Sequence, residues 1–90
     1  MAHSRVLVIG GGGREHSLCL GLHQSPQVQE IYCSPGNAGT AVIASNVNLD
    51  LTDNSQVALF CHQNSVDLVV VGPEAPLCNG LADLLDEHNI

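Results

Sequence analysis

The feature that most constrains this sequence is a short apolar run that ends at four consecutive glycines. Residues 5–9 read R-V-L-V-I, and Gly10 to Gly13 follow directly. An apolar run without polar alternation is typical of a strand buried on both faces of a parallel sheet. Glycines allow the backbone to turn sharply and to approach a ligand closely. The start of the chain therefore predicts a buried strand followed by a tight turn.

The rest of the chain alternates between helix-like and strand-like patterns. After the first strand we predict a helix over residues 13–25, a strand over 29–33 and a short edge strand near 47–49. A second helix is predicted from the N-cap candidates at 52–55 to about residue 64. A strand over 67–71 and a helix over 77–88 complete the pattern. The order β-α-β-β-α-β-α predicts an α/β fold, an open parallel sheet with helices on both faces and right-handed crossovers. In such a fold a further strand follows the last helix, so we expect the last strand to be missing from these 90 residues.

Charge and composition exclude several classes of partner. The formal charge is −7, and Arg5 and Arg14 are the only fixed cations. Nucleic acids and anionic membranes need clustered Lys and Arg, so we expect neither as a partner. The apolar run over residues 6–9 is too short for a signal peptide, and nothing approaches the roughly 20 apolar residues of a membrane span.

The cysteines predict a reducing compartment and no metal site. Cys19, Cys33, Cys61 and Cys78 are scattered and form no C-x-x-C pair. Such thiols are typical of small buried side chains in a cytosolic protein. The histidines near them do not fit a zinc-ligand spacing, so we expect no metal in this chain.

Three loops that follow predicted strands are the candidate ligand site. They span residues 10–15, 34–40 and 72–77. Loops after parallel strands share one edge of the sheet, where ligands bind in α/β folds. The first loop also leads into a helix whose amino-terminal N–H groups suit an anion. Taken alone, the glycine run fits a purely structural turn between strand and helix as well as it fits a ligand-binding loop.

Two familiar phosphate-binding motifs are absent. A dinucleotide fingerprint starting at Gly10 requires Gly or Ala at position 15, where Glu15 stands. It also requires an acidic residue at the end of the second strand, where the chain has Cys33 and Ser34. A Walker A loop requires lysine, and the sequence contains none. These departures argue against a NAD-linked oxidoreductase and a P-loop nucleotidase.

Three charged side chains in the loops are candidates for ligand contact. Arg14 suits a phosphate or carboxylate, whereas Glu15 suits the positive end of the helix dipole. For both, a solvated first helical turn is the competing interpretation. Glu74 stands between Gly72-Pro73 and Pro76, which restrict its freedom and suit an acceptor for sugar hydroxyls or an amine. An ordinary solvated surface carboxylate is the alternative there.

Taken together, three segments resemble the amino-terminal domain of glycinamide ribonucleotide synthetases. They are V-L-V-I-G-G-G-G-R-E-H-S-L at 6–18, P-G-N-A-G-T-A at 35–41 and V-V-V-G-P-E-A-P-L at 69–77. The resemblance covers essentially all 90 residues and extends to the animal enzymes, in which this is the first module of a trifunctional protein. It departs at Gly11, Cys78 and Asn79, where other small residues are usual. The fold implied is a Rossmann-like pre-ATP-grasp domain over residues 1–90, truncated before the ATP-grasp and later domains.

The resemblance also implies an activity. Such a ligase phosphorylates glycine with ATP, and the amine of 5-phosphoribosylamine attacks the acyl phosphate to give glycinamide ribonucleotide, ADP and phosphate in cytoplasmic purine biosynthesis. ATP and Mg²⁺ are expected to bind outside these residues, in an ATP-grasp domain on which this domain packs. The 90 residues alone are therefore expected to be inactive and to bind no cofactor. A non-catalytic Rossmann-like module for sugar phosphates or nucleotides is the alternative. The residues expected to line the phosphoribosylamine pocket are Gly12, Gly13, Arg14, Glu15, Pro35, Gly36, Asn37, Gly72, Pro73 and Glu74.

Overall fold

A computed structural model describes residues 4–72 of the chain. Strands and helices alternate along this range. In chain order they are β1 (Ser4–Gly10), α1 (Gly13–His23), β2 (Val28–Pro35), α2 (Thr40–Ile43), β3 (Ser45–Asn46), α3 (Asn54–Gln63) and β4 (Leu68–Val71). The predicted helix over 77–88 and the residue Cys78 lie outside the described range.

The strands form one parallel sheet in the order β3-β2-β1-β4. β1 pairs with β2 along its whole length and with β4 over Val6 to Ile9. β3 pairs with β2 at only two positions, so it is a short edge strand. The parallel α/β sheet predicted from the alternation of patterns is therefore confirmed.

The central strand β1 is buried on both faces, as its unbroken apolar run predicts. The four side chains over residues 6–9 are at most 1% exposed. Val6 and Val8 pack in one cluster with α1, whereas Leu7 and Ile9 pack in a second cluster with α3. Burying a side chain of this size contributes about 1.5–3 kcal/mol, so β1 anchors both layers of helix. Helices on both faces of the sheet are thus confirmed.

Two local predictions differ from the structure between residues 34 and 49. β2 continues through Pro35, because its last residue pairs with Gly10 of β1. The edge strand lies at Ser45–Asn46, ahead of the predicted 47–49, and the helical turn α2 was not predicted. Val47 and Leu49 do face the core, but from an irregular segment. One-sided burial produces the same alternation as a strand, and this is why the pattern misplaced β3.

Three cysteines are free and buried within the described range. Cys19 and Cys33 are 0% exposed and Cys61 is 1% exposed. Burial raises the pKa of the Cys19 thiol to about 12 and that of Cys61 to about 11, and it also raises the pKa of Cys33. The Cys33 thiol donates a hydrogen bond to the Gly10 carbonyl at 3.4 Å. These thiols act as small core side chains.

The raised thiol pKa values predict a loss of stability in alkali. The ordinary cysteine pKa is 9.0, so unfolded thiols ionise while the buried Cys61 keeps its proton up to about pH 11. The thiol contribution is fully present below pH 9.0 and is lost as the pH rises toward 11. We expect the free energy of unfolding to fall between about pH 9 and about pH 11, and to fall less steeply in Cys61→Ala. Urea unfolding across this range measures both slopes, and equal slopes would refute the assignment.

Candidate ligand site at the carboxyl end of the sheet

The carboxyl ends of three strands meet at one edge around β1. The Gly36 N–H, after β2, donates to the Gly10 carbonyl at 3.1 Å. The Gly72 N–H, after β4, donates to the Ile9 carbonyl at 2.8 Å. The strand order reverses between β1 and β4, and such a reversal opens a crevice in which α/β proteins bind ligands. The three loops singled out from the sequence therefore begin side by side.

The first loop presents an open helix terminus. Gly10 has φ +143°, a conformation that favours glycine. Gly12 is the N-cap of α1 and supplies no side-chain cap. Gly13 and Arg14 are exposed, and nothing lies within 4 Å of where a Gly13 Cβ would be. The first N–H groups of α1 are thus available to an anion from this side.

Asn37 ties the second loop to the first. Its side-chain amide donates to the carbonyls of Gly11 at 3.0 Å and Gly12 at 3.2 Å. Its Oδ1 accepts from the Thr40 N–H at 2.9 Å, and the Asn37 N–H donates to Thr40 Oγ1 at 2.8 Å. This reciprocal pair has the pattern of a capping box. Both ends of the Asn37 side chain are therefore occupied by protein groups, and its visible role is to hold the loops together.

Thr40 and Asn46 support this link between the first and second loops. Neither residue was predicted from the sequence to have a role in the site. Thr40 is fully buried, and its hydroxyl lies 2.7 Å from Asn46 Oδ1. Asn46 Nδ2 donates to the Asn37 carbonyl at 2.8 Å. Gly36 has φ +74°, and a Cβ there would meet the Asn46 side chain. The spacing of Asn37 and Thr40, three residues apart, is a local sequence signal for their reciprocal hydrogen bonds. No such local signal marks Asn46.

Glu15 is buried, which corrects one of the interpretations drawn from the sequence. A solvated first turn holds for Arg14 but is wrong for Glu15, which is 3% exposed. Its side chain occupies the space that a Cβ would need at both Gly10 and Gly72. Glycines at the ends of β1 and β4 thus make room for one carboxylate from α1. Position in the first turn also places it at the positive end of the helix dipole.

A cavity of about 230 Å³ opens between α1 and β4 beside this carboxylate. We call it the α1–β4 cleft, and its lining residues are Arg14, Glu15, Leu18, Val70, Val71 and Gly72. A larger cavity of about 300 Å³ lies beside the start of β2, α2 and the end of α1. Of these two cavities the smaller one is the candidate ligand site, because it adjoins the strand carboxyl ends and the amino terminus of α1.

Comparison with known proteins decides the family. The family described as phosphoribosylglycinamide synthetase, N domain, matches residues 4–90. The chain belongs to this family. The resemblance drawn from the three sequence segments is therefore confirmed.

Curated relatives of this synthetase domain share about half of its residues. Phosphoribosylamine–glycine ligases from Rhodopirellula baltica and Mesorhizobium japonicum are 49% and 48% identical, over 100% and 94% of this chain. The ligase from Streptomyces coelicolor is 48% identical over 96% of it. The chain spans only about a fifth of the length of these relatives, 21%, 20% and 21% respectively.

The structure places most of the predicted site residues of this synthetase domain at the same sheet edge. Arg14, Glu15 and Gly72 line the cleft, while Asn37 holds the loops beside it. Pro73 and Glu74 lie outside the described residues. Within residues 4–72, no three His, Cys, Asp or Glu side chains are grouped as a metal site would require, and no helix is long and apolar enough to cross a bilayer.

Proposed function

We propose that this chain is the amino-terminal, phosphoribosylamine-binding domain of a phosphoribosylamine–glycine ligase of cytoplasmic purine biosynthesis. The whole enzyme would join glycine to 5-phosphoribosylamine with ATP, releasing glycinamide ribonucleotide, ADP and phosphate. The observation that carries the proposal is the match to the synthetase N domain over residues 4–90, together with relatives of that name at 48–49% identity.

Within this domain, the proposed substrate pocket is the α1–β4 cleft and the loops around it. A sugar phosphate is a single small anion, which suits the uncapped N–H groups at the start of α1 and the exposed Arg14. Apolar Leu18 and Val70 form part of the wall. The pocket would be completed by the remaining predicted residues: Gly12, Gly13, Glu15, Pro35, Gly36, Asn37, Gly72, Pro73 and Glu74.

The nucleotide and Mg²⁺ are proposed to bind elsewhere in the enzyme, in an ATP-grasp domain against which this domain packs. The chain has no lysine and carries a net charge of −7, a poor match to a nucleoside triphosphate. The described residues also lack a carboxylate cluster for a divalent cation. The described residues are thus a poor match to ATP and Mg²⁺, and sugar-phosphate binding is the role proposed for this domain.

Glu74→Ala in the complete ligase tests the proposal. A carboxylate in the third loop is proposed to accept hydrogen bonds from the sugar hydroxyls or the amine. Loss of such a charge-assisted bond should raise the KM for phosphoribosylamine about tenfold and leave the KM for ATP unchanged. Steady-state kinetics with each substrate varied in turn measures both constants.

Glu30→Ala provides the matched control for this experiment. Glu30 is a carboxylate of the same domain that lies on β2, away from the strand carboxyl ends. Its removal should leave both Michaelis constants unchanged. An unaltered KM for phosphoribosylamine in Glu74→Ala, or equal changes for both substrates, would contradict the placement of the pocket.

A further inference from the structure

Glu15 is a buried carboxylate with no protein partner among residues 4–72. It is 3% exposed, yet no described residue donates a hydrogen bond to it or forms an ion pair with it. The carboxylate lies between the ends of β1 and β4, against Gly10 and Gly72. It also lines the α1–β4 cleft. A polar group in this position faces the space that a ligand would enter.

Burial without a partner makes such a carboxylate a strong acceptor for a ligand. Removing a charged group from water is unfavourable unless hydrogen bonds replace its hydration. The dipole of α1 offsets part of that cost, since Glu15 stands in the first turn. A ligand that donates hydrogen bonds would supply the remainder. A phosphate would instead be repelled, because its negative charge would meet that of a carboxylate with little contact to water.

We infer that Glu15 binds the hydrogen-bond donors of the ligand, sugar hydroxyls or an amino group, and thereby fixes which way the sugar phosphate lies. This inference rests on the proposed function. The donor face of the ligand enters the α1–β4 cleft, and its phosphate lies outside, over the exposed Gly13 and Arg14 at the start of α1. Gly10 and Gly72 serve this arrangement, since a Cβ at either position would displace the carboxylate.

Glu15→Gln in the complete ligase tests the inference with two probes, glycinamide ribonucleotide and inorganic phosphate. The glutamine keeps the shape but removes the charge. We expect the Kd for glycinamide ribonucleotide to rise about tenfold or more, because a charge-assisted hydrogen bond is lost. The Kd for phosphate should stay the same or fall, because a nearby negative charge is gone. Equal weakening of both probes, or no change for glycinamide ribonucleotide, would overturn the inference.

A crystal structure of the unaltered ligase with glycinamide ribonucleotide gives a second test that needs no variant. We expect a sugar hydroxyl or an amide nitrogen of the ligand within about 3.2 Å of the Glu15 carboxylate. A ligand phosphate in the cleft, or no donor near Glu15, would overturn the inference while leaving the proposed function intact. If the folded, unaltered ligase does not bind glycinamide ribonucleotide, the proposed function itself fails.

Discussion

Gly10→Ala is expected to lower the free energy of unfolding by about 2–3 kcal/mol. Gly10 has φ +143°, which costs about 1–2 kcal/mol for a residue with a Cβ. That Cβ would also lie 2.6 Å from Cγ and 2.7 Å from Cδ of Glu15, so the buried side chain must move. Urea denaturation of the wild-type chain and the variant measures the difference.

Gly13→Ala is the matched control. Gly13 begins α1, and no atom lies within 4 Å of where its Cβ would be. The same substitution there should be neutral or stabilise by up to about 1 kcal/mol, because alanine favours helix.

The double variant Gly10→Ala/Glu15→Ala separates the two parts of the Gly10 effect. Removing the side chain of Glu15 beyond Cβ clears the contact but leaves the unfavourable backbone conformation of Gly10. We therefore expect the Gly10→Ala cost to be smaller in the Glu15→Ala background than in the wild type. Equal costs in both backgrounds would show that the side chain is not displaced by a Cβ at position 10.

The elements that could be predicted from sequence are those whose pattern is local. The apolar run over residues 6–9 predicts a strand buried on both faces, and all four side chains are at most 1% exposed. The N-cap candidates over 52–55 predict the start of α3, where the Asp53 side chain accepts from the Ser55 N–H at 3.0 Å. Each signal lies within a few residues of its effect, so pattern and structure agree.

The burial of Glu15 could not be predicted, because it depends on residues far along the chain. Its space is created by Gly10 and by Gly72, which β4 brings beside β1. A Glu in a first helical turn normally indicates only a favourable charge near the dipole. The environment that turns this residue into a buried acceptor exists only once the sheet has formed.

The short edge strand β3 also depends on contacts between residues that are distant in the sequence. β3 has only two residues, and its second residue, Asn46, donates from its side chain to the carbonyl of Asn37, nine residues earlier. No periodic pattern is needed for that role, so none marks it. The sequence therefore predicts which loops meet at this edge of the sheet, but not which side chains in them contact other protein groups.

Asn37→Ala is expected to lower the free energy of unfolding by about 2–3 kcal/mol, since it leaves several backbone groups without their partners. The carbonyls of Gly11 and Gly12 lose a donor, and the Thr40 N–H loses its acceptor. The glycine loop would then no longer be fixed to the loop after β2. In the complete ligase we also expect a higher KM for phosphoribosylamine, because the amino terminus of α1, part of the proposed pocket, is less well positioned.

Asn37→Asp distinguishes the hydrogen bonds that join the two loops from those within the turn between Asn37 and Thr40. A carboxylate can still accept from the Thr40 N–H, but it places negative oxygens against the Gly11 and Gly12 carbonyls in place of a donor. If the bridge between the loops matters most, Asp should raise the KM for phosphoribosylamine at least as much as Ala. If Asp instead behaves like wild type, the turn alone explains the effect. Asn48→Ala, at an exposed position beyond β3, should change neither stability nor KM and controls for loss of an asparagine.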